Sequence, residues 1–311
     1  MTKVLVIGAC GQIGTELTTA LRLKYGNENV IAADIRLLTD TEFRIRPYIQ
    51  LSVLDKVSLH ALVLREKITV IYHLAATLSA TGEKQPLKAW DLNMQGLLNV
   101  LEIAKTDQLK VFWPSSIAVY GANGPKAFSP QHSIMEPSTV YGISKVSGEL
   151  WCKYYHEQYG VDVRSIRYPG LISYTAEPGG GTTDYAVDIF YHALKHRTYT
   201  CFLKPHTALP MMYMADAVRA TMQLMEASNE KLTVRTGYNI LGISFTPAQL
   251  AEAITKHLPV FTINYKPDRR QNIADSWPAS VDDRHARHDW DWEPQYNLTT
   301  IVSEMLRNIK I

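Results

Sequence analysis

Short apolar bursts at residues 4–7, 30–33, 70–74, 111–113 and 163–166 punctuate the first half of the chain. Most are nearly continuous apolar runs, the pattern of a strand buried on both faces. Between them, residues 13–25, 59–65, 89–104 and 140–159 carry apolar side chains at helical spacing. Strands alternating with helices predict right-handed crossovers and a parallel sheet covered on both sides. After about Tyr168 the rhythm changes, broken by Pro169-Gly170 and by Pro178-Gly179-Gly180-Gly181. A helix is predicted over 183–195, strands near 200–203 and 210–214, and a helix over 247–257, followed by an aromatic-rich stretch from Trp277 to Trp292. The expected architecture is α/β, a doubly wound parallel sheet with a small interwoven C-terminal lobe. Residues 1–168, rejoined by about 209–242, would form the sheet domain, and 169–208 with 243–311 the smaller lobe.

Composition narrows the function. The 311 residues are 46% hydrophobic and 20% charged, an ordinary globular balance. A formal net charge of +2 without a basic run gives no electrostatic footing for nucleic acid. No stretch approaches the ~20 apolar residues of a membrane span, and no signal peptide is visible, so a cytoplasmic enzyme without membrane contact is expected. Cys10, Cys152 and Cys201 are scattered, which fits a reducing compartment and neither a disulfide framework nor a zinc site.

Gly8-Ala9-Cys10-Gly11-Gln12-Ile13-Gly14 follows the first strand and opens the first helix. Glycines there permit a tight turn and let backbone N–H groups approach a pyrophosphate at the positive helix end. Asp34 closes the second strand twenty residues beyond Gly14, where an acid accepts from both adenosine ribose hydroxyls and repels a 2′-phosphate. A Rossmann-type site for NAD follows, with Arg36 nearby as a mild hint of NADP tolerance.

The GxxGxxG spacing resembles the short-chain dehydrogenase/reductase superfamily. His73-Leu74-Ala75-Ala76 looks like that family's cofactor wall, and Asn93 matches its helix asparagine. The family usually has an acid near position 52; this chain has Ser52 and Val53, and Asp55 looks like a helix start instead. Tyr141 and Lys145 are four apart, so an ammonium shares a helix face with a phenol. A phenol pKa of about 10 falls by ~1–3 units beside a positive charge, making Tyr141 a candidate general base. Ser115-Ser116-Ile117-Ala118-Val119-Tyr120-Gly121 resembles the extended subfamily's Ser-Ser-x-x-Val-Tyr-Gly element, which implies that Ser116 orients the reacting hydroxyl. The same resemblance assigns Ser115, Tyr168 and Pro169, with Tyr141 and Lys145, to the cofactor.

Nucleotide-sugar enzymes of this type usually follow the sixth strand with Arg-x-x-Asn. Arg167-Tyr168-Pro169-Gly170 lacks that asparagine. Leu78-Ser79-Ala80-Thr81, Gly179-Gly180-Gly181-Thr182-Thr183-Asp184-Tyr185 and Ile273-Ala274-Asp275-Ser276-Trp277-Pro278 look like the short-chain L-threonine 3-dehydrogenases. That resemblance spans essentially the whole chain. It implies oxidation of the L-threonine 3-hydroxyl by NAD⁺ to 2-amino-3-oxobutyrate, with Ser79, Ser116, Tyr141, Gly181, Thr182, Thr183, Asp184 and Trp277 at the substrate.

Plainer readings stand beside these. Thr182 would cap a helix beginning near Thr183, Asp184 would serve its first turn or order the loop, and Trp277 would only pack. Met211-Met212-Tyr213-Met214-Ala215-Asp216 reads as core followed by a helix start, and Asp282, Asp283, Arg284, His285, Arg287 and His288 as a solvated face rather than a metal site. The resemblance implies a homodimer through the helices bearing Asn93 and Tyr141. The rivals are a nucleotide-sugar 4-epimerase or dehydratase on the same fold, and a non-catalytic NAD-sensing regulator. Intact Ser116, Tyr141 and Lys145 disfavour the regulator.

Overall fold

Val4, Leu5, Val6 and Ile7 are completely or almost completely shielded from solvent, and every other feature of the sheet is arranged around that strand. The computed structural model describes residues 2–37, 47–175 and 179–310; Pro178, one of the predicted breakers, lies outside them. In chain order come β1 (Val4–Ile7), α1 (Gln12–Tyr25), β2 (Val30–Asp34), β3 (Tyr48–Gln50), α2 (Lys56–Glu66), β4 (Val70–His73), α3 (Ser79–Gly82) and α4 (Pro86–Asp107). Then follow β5 (Lys110–Ser116), α5 (Val140–Tyr159), β6 (Val163–Tyr168), β7 (Gly170–Ile172), α6 (Tyr185–His196), β8 (Thr198–Cys201), β9 (Leu209–Tyr213) and α7 (Met214–Glu226). The chain closes with β10 (Tyr238–Asn239), β11 (Ile243–Phe245), α8 (Pro247–Thr255), β12 (Thr262–Tyr265), α9 (Arg270–Ser276), α10 (Arg284–Trp290) and α11 (Leu298–Asn308).

Among the described residues the main sheet has seven strands in the order β10-β6-β5-β4-β1-β2-β3, and every pairing in it is parallel. The doubly wound expectation is borne out. Chain order reverses between β1 and β4, and that crevice at the C-terminal strand ends is where such sheets hold ligands. Leu5, Ile7, Ile71, Val111 and Leu101 form the core on one face, and Val4, Val6, Tyr72, Phe112 and Leu224 the core on the other. A third core joins α6, α8 and α11 to the small sheet β11-β9-β7.

Element ends differ from the expectation for local reasons. The helix predicted from 183 begins at Tyr185, because a turn closes first: Asp184 N–H reaches the Gly181 carbonyl at 3.4 Å, and Ala186 N–H the Thr183 carbonyl at 3.1 Å. The strand expected at 200–203 runs Thr198–Cys201, fixed by parallel pairing with β12. Asp55 caps α2 by accepting from the Ser58 N–H at 3.0 Å.

Candidate active site

The glycine loop binds itself before it binds anything else. Gly8 has φ +82°, and a Cβ there would stand 2.7 Å from the Ala75 nitrogen; at Gly14 a Cβ would stand 2.2 Å from the Gly8 carbonyl oxygen. The fold itself requires those two glycines. Gly11 is different: its backbone is extended, and the nearest atom to an added Cβ is the Gly8 carbonyl oxygen at 3.4 Å. It fronts a cavity lined by Asp34, Ile35, Leu51, Val53, Ala75 and Leu92 among others. Helix α1 has no side-chain cap and no acid in its first turn, so its leading N–H groups await another acceptor. A pyrophosphate meets that requirement, with the Gly11 space for its approach and the adenosine toward Asp34. The Asp34 carboxylate is fixed by the Cys10 N–H at 3.0 Å and the Arg36 N–H at 3.2 Å.

A second cavity adjoins the first across Leu74 and Ala76 and brings Ser116, Tyr141 and Lys145 together with Gln12, Ile13, Tyr168 and Pro169. Strand β5 ends at Ser116, whose hydroxyl accepts the Ala118 N–H at 3.1 Å and lies beside the Tyr141 phenol. Thr139 caps α5 through the Gly142 N–H, which places Tyr141 in the first turn. One turn on, Lys145 is buried, donates to the Pro114 carbonyl, and lies 4.3 Å from the Trp113 ring centroid and 5.4 Å from that of Tyr141. Burial pushes Tyr141 up to about 12, against the Ser116 hydrogen bond, and pushes Lys145 down to about 7, against Glu149 and Cys152. The expectation that Lys145 lowers the phenol is therefore not met by the protein alone: burial dominates at Tyr141, and both groups are driven toward their neutral forms.

Leu78, Ser79, Gly181, Thr182, Thr183, Asp184 and Trp277 also line this cavity. Thr182 does not cap α6. Its hydroxyl is buried without a partner among the described residues. Asp184 takes the loop-ordering role, its Oδ2 accepting the Gly180 and Gly181 N–H groups at 2.7 and 2.6 Å. Lys126 holds the turn that presents Trp277 by donating to the Asp275 and Ser276 carbonyls at 3.0 and 2.9 Å.

Two expected cofactor residues, Asn93 and Ser52, line neither cavity, and a third, Ser115, commits its hydroxyl to another side chain. Asn93 accepts from the Thr77 N–H at 2.8 Å and donates to the Ser144 hydroxyl at 3.1 Å, which in turn donates to the Tyr141 carbonyl at 2.7 Å. It ties the Thr77 backbone to α5 rather than lining a cavity, and its buried amide is satisfied there. Ser52 accepts the Leu54 N–H at 3.3 Å, a local turn. Ser115 reaches the second cavity but commits its hydroxyl to Glu149 at 2.6 Å. The sequence reading missed Ile35, Leu51, Leu92 and Leu171, apolar lining residues with no motif to mark them, and Glu149, whose only signal was its place four residues after Lys145. The face at 282–288 pairs internally, Arg284 with Asp282 at 2.6 Å and Arg287 with Asp283 at 2.8 Å.

A dinucleotide cradle, a Ser–Tyr–Lys group and a doubly wound sheet define a nicotinamide-dependent enzyme. Residues 4–240 match the NAD dependent epimerase/dehydratase family, and the chain belongs to it. NAD is the cofactor that family implies, and the cradle fits it. Over its whole length the chain is 47% identical to an uncharacterized epimerase/dehydratase of Staphylococcus haemolyticus (strain JCSC1435), covering 98% of that protein. Among solved structures, a partial consensus L-threonine 3-dehydrogenase matches with TM-score 0.96 and 57% identity over 98% of each chain. The GalE-like L-threonine dehydrogenase from Cupriavidus necator, in its holo form, matches with TM-score 0.96 and 56% identity over 99% of this chain and 100% of that one. A UDP-glucose 4-epimerase from Thermotoga maritima, at TM-score 0.86 and 21% identity, shares the fold alone.

Proposed function

We propose that this chain is an NAD-dependent L-threonine 3-dehydrogenase, converting L-threonine and NAD⁺ to 2-amino-3-oxobutyrate and NADH. The observation that carries the reading is one cavity lined both by Ser116, Tyr141 and Lys145 and by Thr182, whose buried hydroxyl has no partner among the described residues. Whole-length identity of 57% and 56% to proteins named for L-threonine oxidation supports the substrate.

In this mechanism Ser116 donates to the substrate 3-hydroxyl and Tyr141 takes its proton. NAD⁺ supplies the hydride acceptor, and its positive ring favours the phenolate. Ionised together, Tyr141 and Lys145 offset each other's charge, which neither group does alone in so dry a place. The Pro114 carbonyl and Trp113 ring keep the ammonium aimed along the helix toward the phenol. Thr182, Thr183, Ser79 and the Trp277 indole are the donors for the amino-acid carboxylate, and the Gly180–Asp184 turn fixes their spacing.

The protein acts as a homodimer through α4 and α5. Leu87, Trp90, Ile143, Leu150, Trp151 and Tyr154 are exposed on these two packed helices, an apolar surface of the kind that pairs. No described helix is long and apolar enough to cross a membrane, and the three cysteines are unpaired, which supports a reducing, cytoplasmic setting. The test is NADH absorbance on mixing the protein with NAD⁺ and L-threonine, L-serine or UDP-sugars. Turnover is expected with L-threonine; turnover with a UDP-sugar alone would overturn the substrate. Light scattering at micromolar protein is expected to give twice the chain mass.

A further inference from the structure

Beyond Asp34 the β2–β3 ladder ends, yet the next carbonyls are not left to water. The Tyr48 hydroxyl donates to the carbonyl of Arg36 and lies 3.3 Å from that of Asp34, which also accepts the Leu51 N–H at 2.9 Å. Gln50 Nε2 donates to the carbonyl of Ile35 at 3.1 Å. Tyr48 and Gln50 are two apart on β3 and so share one face, from which they clamp three consecutive peptide groups. The Tyr48 hydroxyl also lies beside the Cys10 thiol of the glycine loop. On the cavity side, the Cys10 and Arg36 N–H groups hold the Asp34 carboxylate.

Carbonyls at an exposed rim are satisfied by water at little cost, so side chains spent on them contribute geometry more than stability. That geometry concerns the acid on which cofactor choice turns. We infer that Tyr48 and Gln50 are positioning residues for cofactor selection, holding Asp34–Arg36 so that the Asp34 carboxylate faces the ribose hydroxyls of NAD and denies space to a 2′-phosphate. The inference rests on the reading that this cavity takes the adenosine half of NAD. The Arg36 guanidinium hydrogen-bonds the Cys10 thiol beside that carboxylate. Loosening the clamp lets Asp34 withdraw and leaves a cation at the rim to meet a 2′-phosphate.

The test compares wild type with Tyr48→Phe, Gln50→Ala and the double variant. Titration calorimetry gives Kd for NAD⁺ and NADP⁺, steady-state kinetics give kcat and KM for each, and Tm is recorded. Each single variant is expected to weaken NAD⁺ binding about threefold to tenfold, the worth of one hydrogen bond. The double variant is expected to narrow the NAD⁺-over-NADP⁺ preference by about tenfold or more, with kcat at saturating NAD⁺ and Tm nearly unchanged. A fallen Tm with the preference intact would show a merely structural role and overturn the inference, as would an unchanged preference in the double variant. Failure of the wild type to bind either nucleotide would sink the NAD reading itself, a different result from wild-type binding that the clamp variants leave unaltered.

Discussion

Glu149 closes both carboxylate oxygens on Arg167, accepting from Nε at 2.8 Å and from Nη2 at 2.7 Å, with neither side chain more than 2% exposed. Arg167 Nη1 donates to the Gln131 carbonyl at 2.8 Å and to Asn239 Oδ1 at 3.1 Å, so the buried charge is satisfied on every side. Ser115 donates to the same Glu149 oxygen, which ties the pair to the strand end that presents Ser116. Removing one partner leaves an uncompensated buried charge, which typically costs ~3–5 kcal/mol. Glu149→Ala is therefore expected to lose about that much stability in urea denaturation, whereas Glu149→Leu combined with Arg167→Met should recover much of it. Recovery of stability without recovery of kcat would mark the pair as positioning Ser116; equal stability of the single variant and wild type would contradict the assignment.

The cradle glycines make opposite demands. Gly14→Ala pushes a methyl into the Gly8 carbonyl and should displace α1, seen as a lowered Tm without any ligand. Gly11→Ala meets nothing closer than 3.4 Å and should fold normally while NAD⁺ affinity falls at least about tenfold. Normal NAD⁺ affinity in Gly11→Ala would place the pyrophosphate elsewhere.

Tyr141→Phe deletes only the phenol oxygen, so NAD⁺ should still bind while turnover drops by ~10²–10⁴. With Tyr141 pushed up to about 12 by burial, the wild-type rate should rise with pH across the neutral to alkaline range, since the base works deprotonated. A flat profile, or a Phe variant near normal turnover, would remove Tyr141 from this role.

The sheet was legible because most of its parallel strands, buried on both faces, leave apolar runs, and because α5 is punctuated at both ends, by Thr139 and Gly160. The short strands β3, β7 and β10 left no such trace: two or three residues show no period, and their pairing is decided by distant partners. Ser116, Tyr141 and Lys145 were legible because their chemistry fixes residue type and spacing. Asn93 and Ser115 were assigned by resemblance to the cofactor, but their hydrogen bonds go to Ser144 and Glu149, partners 51 and 34 residues away that no local pattern foretells.

Asp188 is partly buried on the first turn of α6, near Asp184, and burial with that like charge pushes its carboxyl up to about 6, against Arg270. A raised folded pKa means the protonated form is favoured: this stability is present below the unfolded value of 3.8 and is lost as pH rises through about 6. Asp188→Asn, which mimics the neutral acid, should therefore stabilise at pH 8 by roughly 1 kcal/mol after solvent screening, and hardly at pH 4. Equal effects at both pH values would show that Asp188 does not titrate this way.

Thr182 is placed so that stability and function pull apart. Its hydroxyl is buried at 1% residue exposure, lines the cavity beside Thr183, and has no described partner. A buried hydroxyl left unpaired costs about 1–3 kcal/mol, so the protein alone gains nothing by keeping it. Thr182→Val retains the shape and removes that cost; Tm should stay level or rise. If the hydroxyl donates to the L-threonine carboxylate, the same change forfeits a hydrogen bond to a charged group, ~1.5–3 kcal/mol, or roughly tenfold to a hundredfold in kcat/KM. NAD⁺ affinity should hardly move, because Thr182 does not line the cavity of Gly8, Gly11 and Asp34. Thr183→Ala should lower kcat/KM for L-threonine as well, but without the gain in Tm, since its side chain also packs over Gly170. A Thr182→Val protein that is destabilised and fully active would make Thr182 a packing residue, and the amino-acid carboxylate would have to be held by Ser79 and Trp277 instead.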